Sequence, residues 1–259
     1  MEYKRKILNC SNTGIMTVPT LPQSLKELRC YNNPIIFLPD DLPESLKVLD
    51  CSDTRIASLP TLPQTLKRLY CYNTQIAFLP SLPQSLEKLY CYNTQMTTIP
   101  FLPRSLKVLD CFNTYITTIP ALPQSLKRLY CYNTCITSLP ALPQSLKELY
   151  CFNTKITTIP ALPQSLTILD CSNTQITTVP ALPPLLEVLN CKNCKYLYIP
   201  KKSRARRFVK ETKYNINYNY QVLKIQRVYK KFKQRKFQKT LYNNSNLPND
   251  VCYCISKMI

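Results

Sequence analysis

Apolar and polar positions follow one short pattern along most of this chain, L-x-x-L-x-C-x-N-T-x-I-x-x-L-P-x-L-P-Q-S. Residues 126–145 are one clear copy. A cysteine marks the same place in every copy: Cys10, Cys30, Cys51, Cys71, Cys91, Cys111, Cys131, Cys151, Cys171 and Cys191. The step is 20 residues, with one step of 21 where Asp40 and Asp41 add a residue. A fixed short period is the mark of a solenoid. The L-x-C core alternates, which predicts a short strand with Leu and Cys facing inward. Strands of successive units then stack in parallel, about 4.8 Å apart. The second half of the unit carries two prolines, which remove backbone donors and disfavour helix. It predicts an extended or polyproline-II outer side.

The first eleven positions resemble the leucine-rich-repeat pattern, with Cys in the third Leu place and Thr in the Asn place. Leu-Pro-Ala-Leu-Pro-Gln-Ser-Leu-Lys (residues 139–147) followed by L-x-C-x-N-T-x-I resembles the LPX repeats of bacterial type III-secreted leucine-rich effectors. The Cys-x-Asn-Thr-x-Ile variant is also similar to leucine-rich-repeat proteins of giant amoebal DNA viruses of the mimivirus kind. The resemblance covers residues 5–200. It implies a β-rich solenoid: a right-handed horseshoe of about ten short coils, with parallel β-strands on the concave face and an extended convex side. It also implies a non-catalytic protein-binding role, viral or effector-like, inside a host cell. Some bacterial members carry a C-terminal ubiquitin-ligase domain with a catalytic cysteine, but only 59 residues follow the repeats here, too few for it.

The outward strand positions decide what the concave face shows. Position five reads Arg29, Asp50, Tyr70, Tyr90, Asp110, Tyr130, Tyr150, Asp170 and Asn190, and position seven has Tyr72, Tyr92, Phe112, Tyr132 and Phe152 in its middle. The pattern predicts two exposed aromatic columns. Tyr70, Tyr72, Tyr90, Tyr92, Tyr130, Tyr132, Tyr150 and Phe152 are the candidate partner-binding residues, with Asp110 and Phe112 between the two blocks. The competing expectation is that the rings only stack and stiffen the sheet. Asp50, Asp110 and Asp170 recur every 60 residues, which points to duplication of three-unit blocks, and they are placed to meet basic groups on a partner. Position two adds a lysine column, Lys26, Lys47, Lys67, Lys107, Lys127 and Lys147. The Thr column (Thr54 to Thr174) and the Asn column before it are expected to be structural turn residues.

Composition narrows the chemistry. Histidine is absent and Gly14 is the only glycine, so there is no His base, no Ser-His-Asp set and no glycine-rich phosphate loop. No enzyme activity and no cofactor are expected. Ten of the 14 cysteines are the inward repeat cysteines, where Cys packs as a small hydrophobe. The charged start, with no signal peptide, predicts a reducing intracellular compartment. No stretch approaches the length of a membrane span. Cys191 and Cys194, with Cys252 and Cys254 downstream, have the ligand types for a zinc site, but the repeat frame alone explains the first pair, so no metal is assigned.

At Pro200 the composition breaks. Of the net charge of +20, +14 lies in residues 201–259. The domain reading is therefore a solenoid over 1–200 and a basic, partly α-helical tail over 201–259. Lys201, Lys202, Arg204, Arg206, Arg207 and Lys210 form a run of the nuclear-import or nucleic-acid-binding type, or a solvated linker. Residues 221–239 show helical spacing of apolar positions. Within them Ile225, Gln226, Lys230 and Arg235 resemble part of the calmodulin-binding IQ motif, so a calmodulin-like or acidic partner is one expectation and capping of the last coil another. Residues 247–259 resemble the opening of an F-box, which would make the chain a ubiquitin-ligase substrate adaptor.

Overall fold

In the computed structural model, residues 6–194 are described. They form ten three-residue strands: β1 (Ile7–Asn9), β2 (Glu27–Arg29), β3 (Val48–Asp50), β4 (Arg68–Tyr70), β5 (Lys88–Tyr90), β6 (Val108–Asp110), β7 (Arg128–Tyr130), β8 (Glu148–Tyr150), β9 (Ile168–Asp170) and β10 (Val188–Asn190). All lie in one parallel sheet in sequence order. The register is repeat on repeat, so Leu89 faces Leu109 and Leu109 faces Leu129. The described residues therefore make a parallel-strand solenoid of about nine turns. No helix occurs among them.

The central strand residue points inward and its two neighbours point outward, as the pleat requires. Within one coil Leu126, Leu129, Cys131 and Ile136 are completely buried. The same places are filled in coil after coil, so one core runs the length of the array. The end coils are looser: Leu8, Cys10, Leu186 and Leu189 are only partly buried. The inward thiols from Cys10 to Cys171 also point at the strand carbonyl of the next coil, as Cys91 does to Asp110 O at 3.5 Å. The inward thiols are a packed column, and burial pushes the Cys111 thiol far above its ordinary range.

Three polar columns set the turns. The Asn residue after each strand adopts a left-handed backbone, with φ between 51° and 60° from Asn12 to Asn193, and Asp53 takes the same conformation. Asn and Asp tolerate this region better than other side chains. Their side chains also link coils: Asn93 Nδ2 donates to Asn73 Oδ1 at 2.6 Å, and Asn113 Nδ2 to Asn93 Oδ1 at 2.6 Å. From Thr54 to Thr154 the Thr hydroxyls bond within their own coil, as Thr114 Oγ1 donates to Cys111 O at 2.7 Å. On the other side, the proline-rich segment is irregular and closes in a β-turn, where the Leu146 N–H donates to Pro143 O at 3.1 Å. The Ser at that turn reaches back to the previous coil. Ser125 Oγ lies 2.7 Å from Arg104 O and 2.6 Å from Leu106 O. Leu185 breaks this column and is exposed.

The basic run (Lys201, Lys202, Arg204, Arg206, Arg207, Lys210), the IQ-like residues (Ile225, Gln226, Lys230, Arg235), the F-box-like segment 247–259, and Cys252 and Cys254 lie outside the described residues.

Candidate interaction face

The outward sheet face has three columns, at unit positions three, five and seven. Position three holds Glu27, Val48, Arg68, Lys88, Val108, Arg128, Glu148, Ile168 and Val188, the first residue of each strand from β2 on. Sequence reasoning placed the lysines of position two beside the aromatic columns. In the structure position two precedes each strand, and position three stands next to the rings. The pleat was enough to find this: position five outward makes position three outward.

Position seven is a continuous stack. Tyr72 and Tyr92 lie 4.4 Å apart between ring centroids, Tyr92 and Phe112 4.4 Å, Phe112 and Tyr132 4.4 Å, and Tyr132 and Phe152 4.2 Å, all near parallel. Position five holds two pairs. Tyr70 and Tyr90 stack at 4.9 Å, whereas Tyr130 and Tyr150 are tilted by 38° at 5.2 Å. Such pairs add to the energy of plain burial. The rings are not an openly exposed patch. They cover each other, so most are half-buried and Tyr92 is only 7 % exposed. Burial raises the hydroxyl of Tyr150 to about 12 and that of Tyr130 further still.

One ion pair lies beside the rings and others in the position-two column. Glu148 accepts from Arg128 Nε at 3.0 Å and from the Tyr130 hydroxyl at 2.6 Å. Glu87 accepts from Lys107 at 2.7 Å and lies 3.8 Å from Lys67. The Lys107 hydrogen bond holds the Glu87 carboxyl below its ordinary range. These pairs are partly exposed and contribute little to stability.

The three aspartates do not project as free charges. Asp50 Oδ1 accepts from the Ser52 N–H at 3.2 Å and the Ser52 hydroxyl at 2.6 Å. Asp170 Oδ1 accepts the same pair from Ser172 at 3.1 and 2.7 Å, and its Oδ2 accepts from Asn190 at 3.0 Å. At Asp110 the residue two places on is Phe112. Its carboxyl is buried, with 6 % of the residue exposed, and Oδ1 has no hydrogen-bond partner. Burial pushes the Asp110 carboxyl well above the usual carboxylate range, against a smaller pull from the Phe112 backbone N–H. The expectation of three evenly spaced outward charges is thus corrected. Neighbouring rings and serines enclose the carboxylates.

The cysteines of the last coil differ from the rest. Cys191 is inward and its thiol is raised to about 11 by burial. Cys194 takes the Thr place and is half-buried, with its sulfur 3.4 Å from Thr174 Oγ1 and 3.3 Å from Cys171 O. Hydrogen bonding by Cys171, with help from Thr174, lowers its thiol to about 6. Among the described residues no three or more metal-ligating side chains converge.

The family model described as leucine-rich repeats (two copies) matches residues 84–124 and 124–164. These segments are leucine-rich repeats. The match falls on β5 to β8 and the coils that join them, the part of the solenoid that carries most of the stacked rings. Solved leucine-rich-repeat proteins share the architecture. YopM from Yersinia enterocolitica is 27 % identical at a TM-score of 0.52, over 73 % of this chain and 52 % of that one. The chain thus spans about half the length of YopM. A chain in the octameric complex of Latrophilin 3, Unc5D and FLRT2 (LRR) matches at a TM-score of 0.60 and 18 % identity, over 75 % of this chain and 73 % of that one. The functional domain of InlJ from Listeria monocytogenes, which includes a cysteine ladder, matches at 0.54 and 19 %, over 75 % of this chain and 54 % of that one. The last two likenesses concern the fold alone. A search of curated proteins finds no match.

Proposed function

We propose that this chain is a non-catalytic protein-interaction module that holds an extended partner against the outward face of its sheet. Leucine-rich-repeat solenoids typically serve as interaction modules, and their stacked coils offer long binding surfaces. One observation carries the reading. Five stacked rings run beside two tyrosine pairs, giving rigid amphipathic contact area of the kind that anchors interfaces. The same stacking stiffens the sheet, so the surface is ordered before a partner arrives.

An effector-like role within a host cell is part of the proposal, supported by the likeness to YopM. A reducing compartment is supported by the twelve described cysteines, all free thiols. A viral source rests on the Cys-x-Asn-Thr-x-Ile pattern, and the adaptor, calmodulin and nucleic-acid readings rest on tail residues outside the described ones. The test is capture of a partner by the full chain, followed by affinity measurement with a Tyr90→Ala, Tyr130→Ala double variant of unchanged melting temperature. The face reading expects a loss of about 2 kcal/mol or more. Unchanged affinity would place the contact elsewhere.

A further inference from the structure

The position-five column lacks a ring at one place inside the aromatic block. Tyr90, Asp110 and Tyr130 are register partners on β5, β6 and β7. Their Cα positions therefore span two strand spacings, about 9–10 Å. In the column beside them Tyr92, Phe112 and Tyr132 fill the same span with rings at 4.4 Å steps. The backbone span between Tyr90 and Tyr130 thus has room for one planar group once the side chains that now close over Asp110 move aside.

Asp110 marks that gap, and what it lacks is specific. It is 6 % exposed and its Oδ1 has no hydrogen-bond partner, whereas the equivalent oxygens of Asp50 and Asp170 are held by Ser52 and Ser172. The basic side chain nearest in pattern, Arg128, is already engaged by Glu148. The Tyr130 hydroxyl is also on Glu148, in the next strand away from Asp110. Position three of this coil is Val108, which offers no hydrogen bond.

The chemistry of the occupant follows. The faces of two tyrosines attract a cation. An ionised carboxyl is acceptor-only and takes two parallel N–H donors from a guanidinium. A group that passes between rings to a nearly buried carboxyl must be thin, and guanidinium is planar while an ammonium is not. We propose that the Asp110 notch receives one arginine side chain of a protein partner, its guanidinium stacked between Tyr90 and Tyr130 and hydrogen-bonded to Asp110. This rests on the reading of the outward face as protein-binding. It makes Asp110 the specificity residue of that face.

The experiment needs no natural partner. The full chain is titrated with a blocked Ala-Arg-Ala tripeptide, and with the same tripeptide carrying lysine or citrulline, by calorimetry or tyrosine fluorescence. The arginine peptide is expected to bind about tenfold or more tightly than either analogue, since only it supplies a planar cation. Asp110→Tyr fills the notch with the residue found in the flanking coils and should abolish binding, and Asp110→Asn should weaken it about tenfold. Asp170→Asn should leave it within about twofold, as an independent site. Equal binding of arginine and lysine peptides, or binding retained in folded Asp110→Tyr, overturns the inference. Binding of guanosine monophosphate in place of the arginine peptide also overturns it, because a stacked base would then be the occupant. If the peptide fails while the double tyrosine variant still loses its captured partner, the notch is wrong and the face stands.

Discussion

The Asn33 side chain accepts the backbone N–H of Gly14, a residue of the preceding coil, at 2.8 Å. The same side chain accepts from the Thr13 N–H at 3.1 Å and donates to Cys10 O at 2.8 Å and Cys30 O at 2.9 Å. It occupies the place that Thr fills in the later coils, where hydroxyls such as those of Thr54 and Thr114 bond to their own coil. Asn33 thereby pins the first described coil to the second.

Restoring the consensus there is expected to weaken the protein. Asn33→Thr removes the cross-coil bonds to Thr13, Gly14 and Cys10 and keeps only the local one. Unpaired backbone groups and lost bonds of this kind cost about 1–2 kcal/mol. Chemical denaturation of wild type and variant reads the difference. A stability equal to or above wild type would show that the first coil gains nothing from the bridge.

Asp110→Tyr is expected to stabilise the solenoid at neutral pH. A carboxyl whose folded pKa is raised keeps its proton in the folded chain after the unfolded chain has released it. Stability is then full below the ordinary value near 3.8 and declines as pH rises toward the raised value. The titrating and charged groups around Asp110 are Lys88, Tyr90 and Tyr92 on one side and Arg128, Tyr130 and Tyr132 on the other, with Glu148 beyond. Asp50 and Asp170 are shifted in the same direction, so the comparison is between wild type and variant. Melting curves from pH 4 to pH 8 should show a gap that widens as pH rises. A gap that narrows would mean that Asp110 is stabilised as the anion.

Thiol reactivity should divide sharply along the array. Cys194 is half-buried and lowered to about 6, while Cys71, Cys111 and Cys151 are buried and raised far above their ordinary value. The thiolate is the reactive form. Iodoacetamide at pH 7, read peptide by peptide by mass spectrometry, should alkylate Cys194 while those three remain unmodified until the chain unfolds. Early labelling of Cys111 would contradict the inward strand register.

The period alone made the short parallel strands, the inward Leu and Cys and the helix-free coils of the described residues legible, because each demand recurs every 20 residues; about ten coils were expected, and the described residues make about nine turns. The structural role of the Thr column was legible for the same reason, since Thr114 serves its own coil. What crosses between coils was harder to read. A consensus shows what units share, and the Asn73 to Asn93 and Ser125 to Leu106 bonds join residues of different units, about one period apart. Stacking of the outward rings was legible as the competing expectation, but its extent depends on neighbours in adjacent coils. The Asp110 notch had a visible signal: Ser follows two places after Asp50 and Asp170, and Phe112 does so after Asp110. Averaging positions five and seven separately hid that pairing.

The Asn column carries a consequence for how such a chain changes over generations. Asn93 gives its amide to Asn73 in the coil before and lends its carbonyl to Asn113 in the coil after. The joints between Asn133 and Asn153 and between Asn173 and Asn193 are built from the same two halves. A recombination event that drops or copies a block of coils cuts at one such joint and reseals at another of identical chemistry. Length becomes a heritable variable that can drift without any newly mismatched seam, and the sequence of faces shown to a partner can be edited a rung at a time.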